Sequence, residues 1–262
     1  MTPGKEQLAQ RRTGGGRGLP LSVVVLSRNE ERCIGEVLES LLANVGQPFE
    51  VLVVDDSVDG TARIIQGFSA AHECIRLVRQ EGRGYTAAVM TGVAHARYET
   101  LAVLVADASD DAGDIETMRA KMAEGYDLVC ASRYMRGGSR EGGHGFTGAC
   151  SRIVCVGLRA LTGIATHDAS NSFKMYRTGM LRSMDIEEAG YATSMQAALK
   201  AHFGGLRITE IPTTWRDRGA GASKFLPRKE AEHYAHWLLW AIAERLRRGV
   251  RGKRRRDERE GA

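Results

Sequence analysis

One stretch limits the fold more than any other: Leu101–Ile115, LAVLVADASDDAGDI, an apolar run that stops on Asp107 and is followed by three more acids. A short apolar run bounded by turn residues predicts a buried parallel strand, and an open α/β sheet takes its ligands just beyond the carboxyl ends of such strands. Asp107 is therefore expected at the mouth of the fold. Asp110, Asp111 and Asp114 follow within one or two turns of chain. Clustered carboxylates suit a hard divalent cation and a bound diphosphate. The plainer alternative is that they start and cap a helix from about Asp114, which accounts for most of what Asp111 and Asp114 need to do.

The rest of the first half repeats the pattern. Leu21–Leu26 (LSVVVL) predicts a strand, and Ser27 and Glu30 have capping-box spacing for the helix after it, where Ile34, Val37, Leu38 and Leu41 share a face. Phe49–Val54 (FEVLVV) predicts a second strand ending in the acidic turn DDSVDGT, whose Asp59 and Thr61 suit the cap of a following helix. A third strand, Ile75–Val78, leads into EGRGYTAAVMTG, where Gly82 and Gly84 flank Arg83 and small residues permit close approach to a phosphate or a neighbouring strand. A helix over about 114–123 and a strand over 127–131 follow. Strand, helix, strand, acidic turn, helix predicts an α/β fold: a nucleotide-binding, Rossmann-like, mostly parallel sheet flanked by helices.

Composition excludes several classes. A hydrophobic share of 43% and a charged share of 26% are ordinary for a globular domain. No apolar run approaches the roughly 18 residues of a membrane span, and the first twenty residues lack the apolar segment of a secretory signal, so they are expected to be a flexible leader. The five cysteines, Cys33, Cys74, Cys130, Cys150 and Cys155, form no CxxC pair and are expected to be reduced packing residues. The net charge of +5 is weighted to the end of the chain, where Lys253–Arg256 follow Arg245, Arg247 and Arg248. That asymmetry suits an anionic membrane leaflet or nucleic acid, or simply a solvated tail. No recognised nucleic-acid motif accompanies it.

Seven segments occur in one order: VVVLSRNEE, VVDDSVDGT, EGRGYTAAVMTG, VADASDDAGDI, ASRYMRGG, DASNSFKMYR and RITEIPTTWRDRGAGASKF. Together they resemble the family 2 glycosyltransferases of the GT-A fold, in the branch of dolichol-phosphate mannosyltransferases and bacterial polyprenyl-phosphate hexosyltransferases. The resemblance runs from about residue 21 to 228, with an amphipathic helix over 229–248 and a basic, disordered tail over 249–262 expected beyond it.

The resemblance implies roles. Glu30, Asp55 and Asp56 would hold the nucleoside of a sugar donor, with Arg83 beside them, and Asp107 would ligate Mg²⁺ or Mn²⁺ together with the donor diphosphate. The sequence departs from the family at the first acid of the DxD motif, which is Val105. Mg²⁺ commonly keeps waters and binds through one or two carboxylates plus substrate phosphate, and Asp110 is placed to compensate. In the second half, Arg133, Ser151 and Arg152 resemble contacts to an acceptor phosphate, and the glycine-rich 136–145 stretch suits a mobile loop over an anionic substrate. Asp168 opens a segment in which Ser172 replaces the family's Gly. Arg218, Ser223 and Lys224 match RxxGxSK, where an Arg, a hydroxyl and an ammonium converge on phosphate oxygens.

Transfer to a neutral hydroxyl needs a general base, whereas a phosphate acceptor is already anionic. The position where the branch often has Glu is Gln196. The implied activity is inverting transfer of mannose or glucose from a nucleoside-diphosphate sugar to a polyprenyl phosphate, with Asp107, Arg218 and Lys224 at the reacting groups. A transferase with a soluble hydroxyl acceptor, and a sugar-nucleotide-binding protein without activity, are the alternatives. The stripe Tyr234, Trp237, Leu238, Ala241, Ile242 and Leu246 is expected either to dock on its own domain or to meet a membrane interface or a membrane-embedded partner. The expected setting is cytoplasmic, with peripheral membrane contact.

Overall fold

The computed structural model describes residues 18–142, 145–217 and 227–260, with 145–147, 227–229 and 250–260 as backbone alone. Strands β1 (Leu21–Ser27), β2 (Phe49–Asp55), β3 (Ile75–Arg79) and β4 (Thr100–Val105) alternate with helices α1 (Ile34–Asn44), α2 (Thr61–Ala71) and α3 (Tyr85–His95). A 3₁₀ turn (Ala112–Asp114) leads into α4 (Ile115–Ala123), then come β5 (Leu128–Ser132), β6 (Ser139–Glu141), α5 (Gly145–Thr162), β7 (Lys174–Arg177) and α6 (Thr178–Ser183). Helix α7 (Thr193–Phe203), β8 (Ile208–Pro212), β9 (Thr214–Arg216) and α8 (Pro227–Glu260) complete the chain.

Seven strands form one sheet in the order β3-β2-β1-β4-β7-β5-β8. Parallel pairing of β1 sets Ser27 opposite Asp55 on one side and Leu26 opposite Val105 on the other. Strand β7 runs antiparallel between β4 and β5. Alternate residues of each strand enter two apolar layers. Val24, Leu52, Val103 and Leu128 pack under α3, α5, α7 and α8, while Val25, Val53, Leu104 and Val129 meet Ile34, Leu38, Ile65 and Met118 of the opposite helices. Helix α3 lies so close to β1 that a Cβ on Gly92 would collide with Val24, which gives the small residues of that helix a packing role.

The structure corrects several expectations. Ser27 is the buried last residue of β1, not a cap. Helix α1 starts only at Ile34, where the backbone carbonyl of Glu30 accepts from the amides of Cys33 and Ile34 and no side chain caps the turn. The 136–145 stretch is not simply a loop: residues 139–141 pair in parallel with 214–216 as a two-stranded ribbon, and the Arg140 guanidinium lies 4.4 Å above the Trp215 ring. The helix expected to end at 248 continues to Glu260 through much of the supposed disordered tail. Its RGKRRRDERE sequence sets bases and acids four apart, which favours helix.

Arg119, absent from the sequence reading, is 2% exposed. Its guanidinium donates to the carbonyls of Leu19 (2.6 Å), Gly46 (2.6 Å) and Pro48 (2.9 Å), and Glu116 Oε1 lies 3.0 Å away. It ties the chain entering β1 to the turn entering β2. Replacing it removes three hydrogen bonds to backbone carbonyls, of which only that of Pro48 keeps another donor, the Leu21 amide, so Arg119→Met is expected to lower stability by about 1–3 kcal/mol, read as a lower midpoint in urea.

Candidate donor and acceptor sites

The chemistry gathers where β1, β2 and β4 end. Because β1 lies between the other two, Asp55 and Asp107 stand two strand spacings apart, about 10 Å. Asp55 is 7% exposed, and its carboxylate accepts from the Ser57 hydroxyl (2.5 Å) and amide (3.3 Å), which shapes the acidic turn. Asn29 adopts a left-handed conformation (φ 52°) that Asn tolerates better than most residues. It clasps that turn: its amide donates to Ser57 Oγ (2.7 Å), and its side-chain oxygen accepts from the Val58 amide (2.9 Å). Glu30 is buried, its amide held by Thr61 Oγ1 at 2.9 Å. Asp59 does anchor the start of α2, accepting from the amide (3.0 Å) and hydroxyl (2.5 Å) of Thr61.

Between these turns and α3 lies a cavity of about 350 Å³ lined by Arg28, Asn29, Asp56, Val58, Arg83 and Gly84. Arg28 Nε approaches Asp56 at 3.8 Å. Gly84 (φ 91°) ends the GRG turn in a conformation suited to glycine, and its carbonyl starts α3. Asp56 and Arg83 thus share one cavity, with Asp55 and Glu30 in the turns behind it. Arg28, Asn29 and Val58 were not picked out from the sequence; the only signal for them was their place next to the two acids.

Asp107 is 7% exposed, and its Oδ1 accepts the Ser109 amide at 3.1 Å. Ala108 is left-handed (φ 58°), a conformation costing a non-glycine residue about 1–2 kcal/mol. Beyond this bend Asp110 is half-buried, and burial, followed by the Asp107 charge, pushes its carboxyl up to about 7. Two carboxylates in mutual repulsion are what a divalent cation relieves, so the pair fits Mg²⁺ or Mn²⁺ held jointly with substrate phosphate. Among the described residues no group of three or more His, Cys, Asp or Glu side chains could hold a metal ion. Asp111 and Asp114 have structural duties: Asp111 accepts the Gly113 amide (2.9 Å), and Asp114 accepts the Thr213 hydroxyl (2.6 Å).

In the second half Arg133 already has a partner. Its Nε and Nη2 grip Asp168 at 2.6 and 2.9 Å, and Asp168 is fully buried. Ser170 joins them, accepting from Arg133 Nη2 (3.1 Å), and lies 3.0 Å from Ser151 Oγ. Arg133, Ser151 and Asp168 therefore belong to one network, but most of the Arg133 fork is spent on Asp168. Arg218, Ser223 and Lys224 lie outside the described residues. The ribbon that leads to them rests on the β4 loop, where the Arg216 amide donates to the Ser109 carbonyl at 3.0 Å. Gln196 is wholly buried, and its side-chain oxygen accepts from the Glu188 amide (3.0 Å).

Helix α8 docks on its own domain. Glu188 accepts from Trp237 Nε1 (2.8 Å) and from the Ala189 and Gly190 amides, with His233 Nδ1 2.8 Å away. Trp237 and Ala241 are buried, and Trp240 meets Phe203 edge to face at 5.6 Å. Of the uses expected for the stripe, docking on its own domain is the one that Trp237 and Ala241 serve.

The chain belongs to glycosyl transferase family 2, whose model matches residues 22–184. It is 28% identical over 213 residues to an undecaprenyl-phosphate 4-deoxy-4-formamido-L-arabinose transferase of Pseudomonas paraeruginosa, covering 78% of this chain and 60% of that protein. It is 26% identical to the dolichol-phosphate mannosyltransferase of Pyrococcus furiosus, covering 83% and 62% respectively. A polyprenol monophosphomannose synthase of Mycolicibacterium smegmatis is 26% identical over 76% of this chain and 78% of its own. The chain thus spans about three fifths of the length of the first two relatives. The fold is GT-A: a glucosyl-3-phosphoglycerate synthase from Mycobacterium tuberculosis, solved with Mn²⁺, UDP-glucose and phosphoglyceric acid, superposes with a TM-score of 0.67 at 19% identity, over 93% of this chain and 86% of that one.

Burial works to raise the Asp168 pKa, but the Arg133 guanidinium outweighs it and holds the carboxyl below its ordinary range. A depressed folded-state pKa stabilises the protein above the unfolded value, about 3.9, and that stability is lost as pH falls through the folded value. Asp168→Asn leaves a buried guanidinium uncompensated, at a cost of about 3–5 kcal/mol near pH 7. The gap from wild type should narrow in urea titrations repeated below pH 4.

Proposed function

We propose that this chain is an inverting hexosyltransferase that moves mannose or glucose from a nucleoside-diphosphate sugar to a polyprenyl phosphate. The observation that carries the reading is the meeting, in a family 2 domain, of the acidic turns of β1 and β2 with the Arg83–Gly84 turn around one nucleotide-sized cavity. The acceptor class is supported by the named activities of the three sequence relatives. It is supported too by Gln196, which is buried and serves the Glu188 amide where a catalytic base would otherwise be sought.

In this reading the cavity between Arg28 and Gly84 takes the nucleoside, with Glu30, Asp55 and Asp56 fixing its turns. Asp107, with Asp110, would hold Mg²⁺ or Mn²⁺, which would supply positive charge against the departing diphosphate. An oxygen of the lipid phosphate attacks C1 of the sugar in line, the C1–O bond to the diphosphate breaks, and no proton has to be removed from the nucleophile. Ser151, Ser223 and the cationic Arg218 and Lys224 would hold the acceptor, while Arg133 keeps Asp168 and Ser170 in place.

Labelled sugar should pass from GDP-mannose or UDP-glucose into a butanol-extractable product with a short polyprenyl phosphate and Mn²⁺. EDTA or Asp107→Ala should reduce the rate at least 100-fold. Binding of a sugar nucleotide without any lipid product would defeat the acceptor assignment.

A peripheral contact with the cytoplasmic leaflet completes the proposal. No helix among the described residues is long and apolar enough to cross a membrane. Of the seven exposed large hydrophobic residues described, five lie on the adjacent helices α5 and α8: Ile153, Val156, Leu161, Leu239 and Leu246. Arg152, Arg245, Arg247 and Arg248 are exposed on the same two helices, a pairing suited to an anionic leaflet. Vesicles containing anionic lipid should therefore sediment the protein, and the double variant Ile153→Ser/Leu239→Ser should bind them about tenfold less tightly.

A further inference from the structure

Three buried side-chain atoms have no hydrogen-bond partner among the described residues: Ser27 Oγ, Arg76 Nε and the Tyr85 hydroxyl. The Arg76 guanidinium is otherwise paired with Glu50 at 2.9 Å, and Ser27 lies behind the donor turns at the end of β1. Tyr85 is different in its surroundings. It is the first residue of α3, directly after the Gly84 that lines the donor cavity, and its ring packs on Tyr191 with centroids 4.9 Å apart. Around its hydroxyl stand Ser194, Ser172 and the carboxylate of Asp110. Neither serine makes a formed hydrogen bond to it.

The Asp110 charge acts on this hydroxyl, and Ser172 stands two residues past Ser170 of the Arg133–Asp168 network, so the β4 loop and that network both lie near it. In any transfer from a diphosphate to an acceptor phosphate, the sugar must lie between those two ends. A buried hydroxyl without a partner costs stability until something satisfies it, and a hexose offers donors and acceptors at every carbon. Ser172 adds a second hydroxyl beside it, which makes the spot polar.

We propose that the Tyr85 hydroxyl, with Ser172 and Ser194 beside it, reads the sugar of the donor by hydrogen bonding a hydroxyl of the hexose. The assignment rests on the sugar-transfer reading above and adds the residues that select the sugar. A site built to bond a substrate hydroxyl discriminates far more strongly than an apolar wall, because an analogue lacking that group leaves the site's own polar atoms unpaired.

The test separates sugar from nucleotide. Titration calorimetry with Mn²⁺ compares GDP with GDP-mannose and UDP with UDP-glucose on the full chain. For whichever base binds, Tyr85→Phe is expected to leave affinity for the nucleoside diphosphate within twofold and to weaken the sugar nucleotide about tenfold. Ser172→Gly should shift the same ratio in the same direction. The ligand-free melting temperature of Tyr85→Phe should be no lower than that of wild type, because the deleted hydroxyl has no partner to lose. Equal weakening of both ligands, no weakening of the sugar nucleotide, or a ligand-free Tm several degrees lower would overturn the assignment. If wild type binds none of the four nucleotides, the transferase reading itself fails and this assignment with it.

Discussion

The organisation depends on one constraint: β2, β1 and β4 run parallel and are covered by apolar helices on both faces. Side chains within such strands have no route to water, so nearly all polar chemistry is displaced to the loops beyond their ends. Register then does the placing. Once Ser27 is set beside Asp55 and Leu26 beside Val105, the turns carrying Glu30, Asp55 and Asp107 must emerge side by side. The bends at Asn29 and Ala108 are the local cost, a left-handed backbone at two non-glycine positions next to the acids.

The second half is joined to this frame differently. Strand β7 enters antiparallel and carries Lys174, which is fully buried with its ammonium donating to the carbonyls of Ala169 and Asn171. Burial lowers that lysine's pKa. Close by, the Arg133 and Asp168 pair fixes the loop before β7 against the end of β5. Charged groups in a low-dielectric interior are costly unless fully engaged, and here each one is. The second half is thus held by buried polar contacts where the first half is held by apolar packing.

That contrast explains what was legible in the sequence. LSVVVL, FEVLVV and LAVLVA announce themselves because burial on both faces demands unbroken apolar runs, and the acids after them mark the ends. KMYR carries no such mark, so the antiparallel strand was hidden. The ribbon of 139–141 and 214–216 depends on pairing across some seventy-five positions, and RGGSRE alone resembles a loop. The Arg133 fork could be assigned to phosphate or to Asp168 with equal chemical sense; only the fold, which brings together residues 35 apart, decides where most of it goes. Tyr85 gave no signal, since a Tyr at the start of a helix is commonplace.

Helix α8 has a mechanical consequence. At 1.5 Å per residue its 34 residues extend about 51 Å, and the described contacts that seat it run from Glu230, His233, Trp237 and Ala241 to Arg248, whose guanidinium lies 5.2 Å from the Phe203 ring centroid. A seat of that length fixes the helix axis at two places, the Glu188 carboxylate and the Phe203 ring. The direction in which this helix leaves the domain is therefore geared to the loop of residues 188–191, whose Tyr191 packs against the first residue of α3 beside the cavity of Arg28 and Gly84.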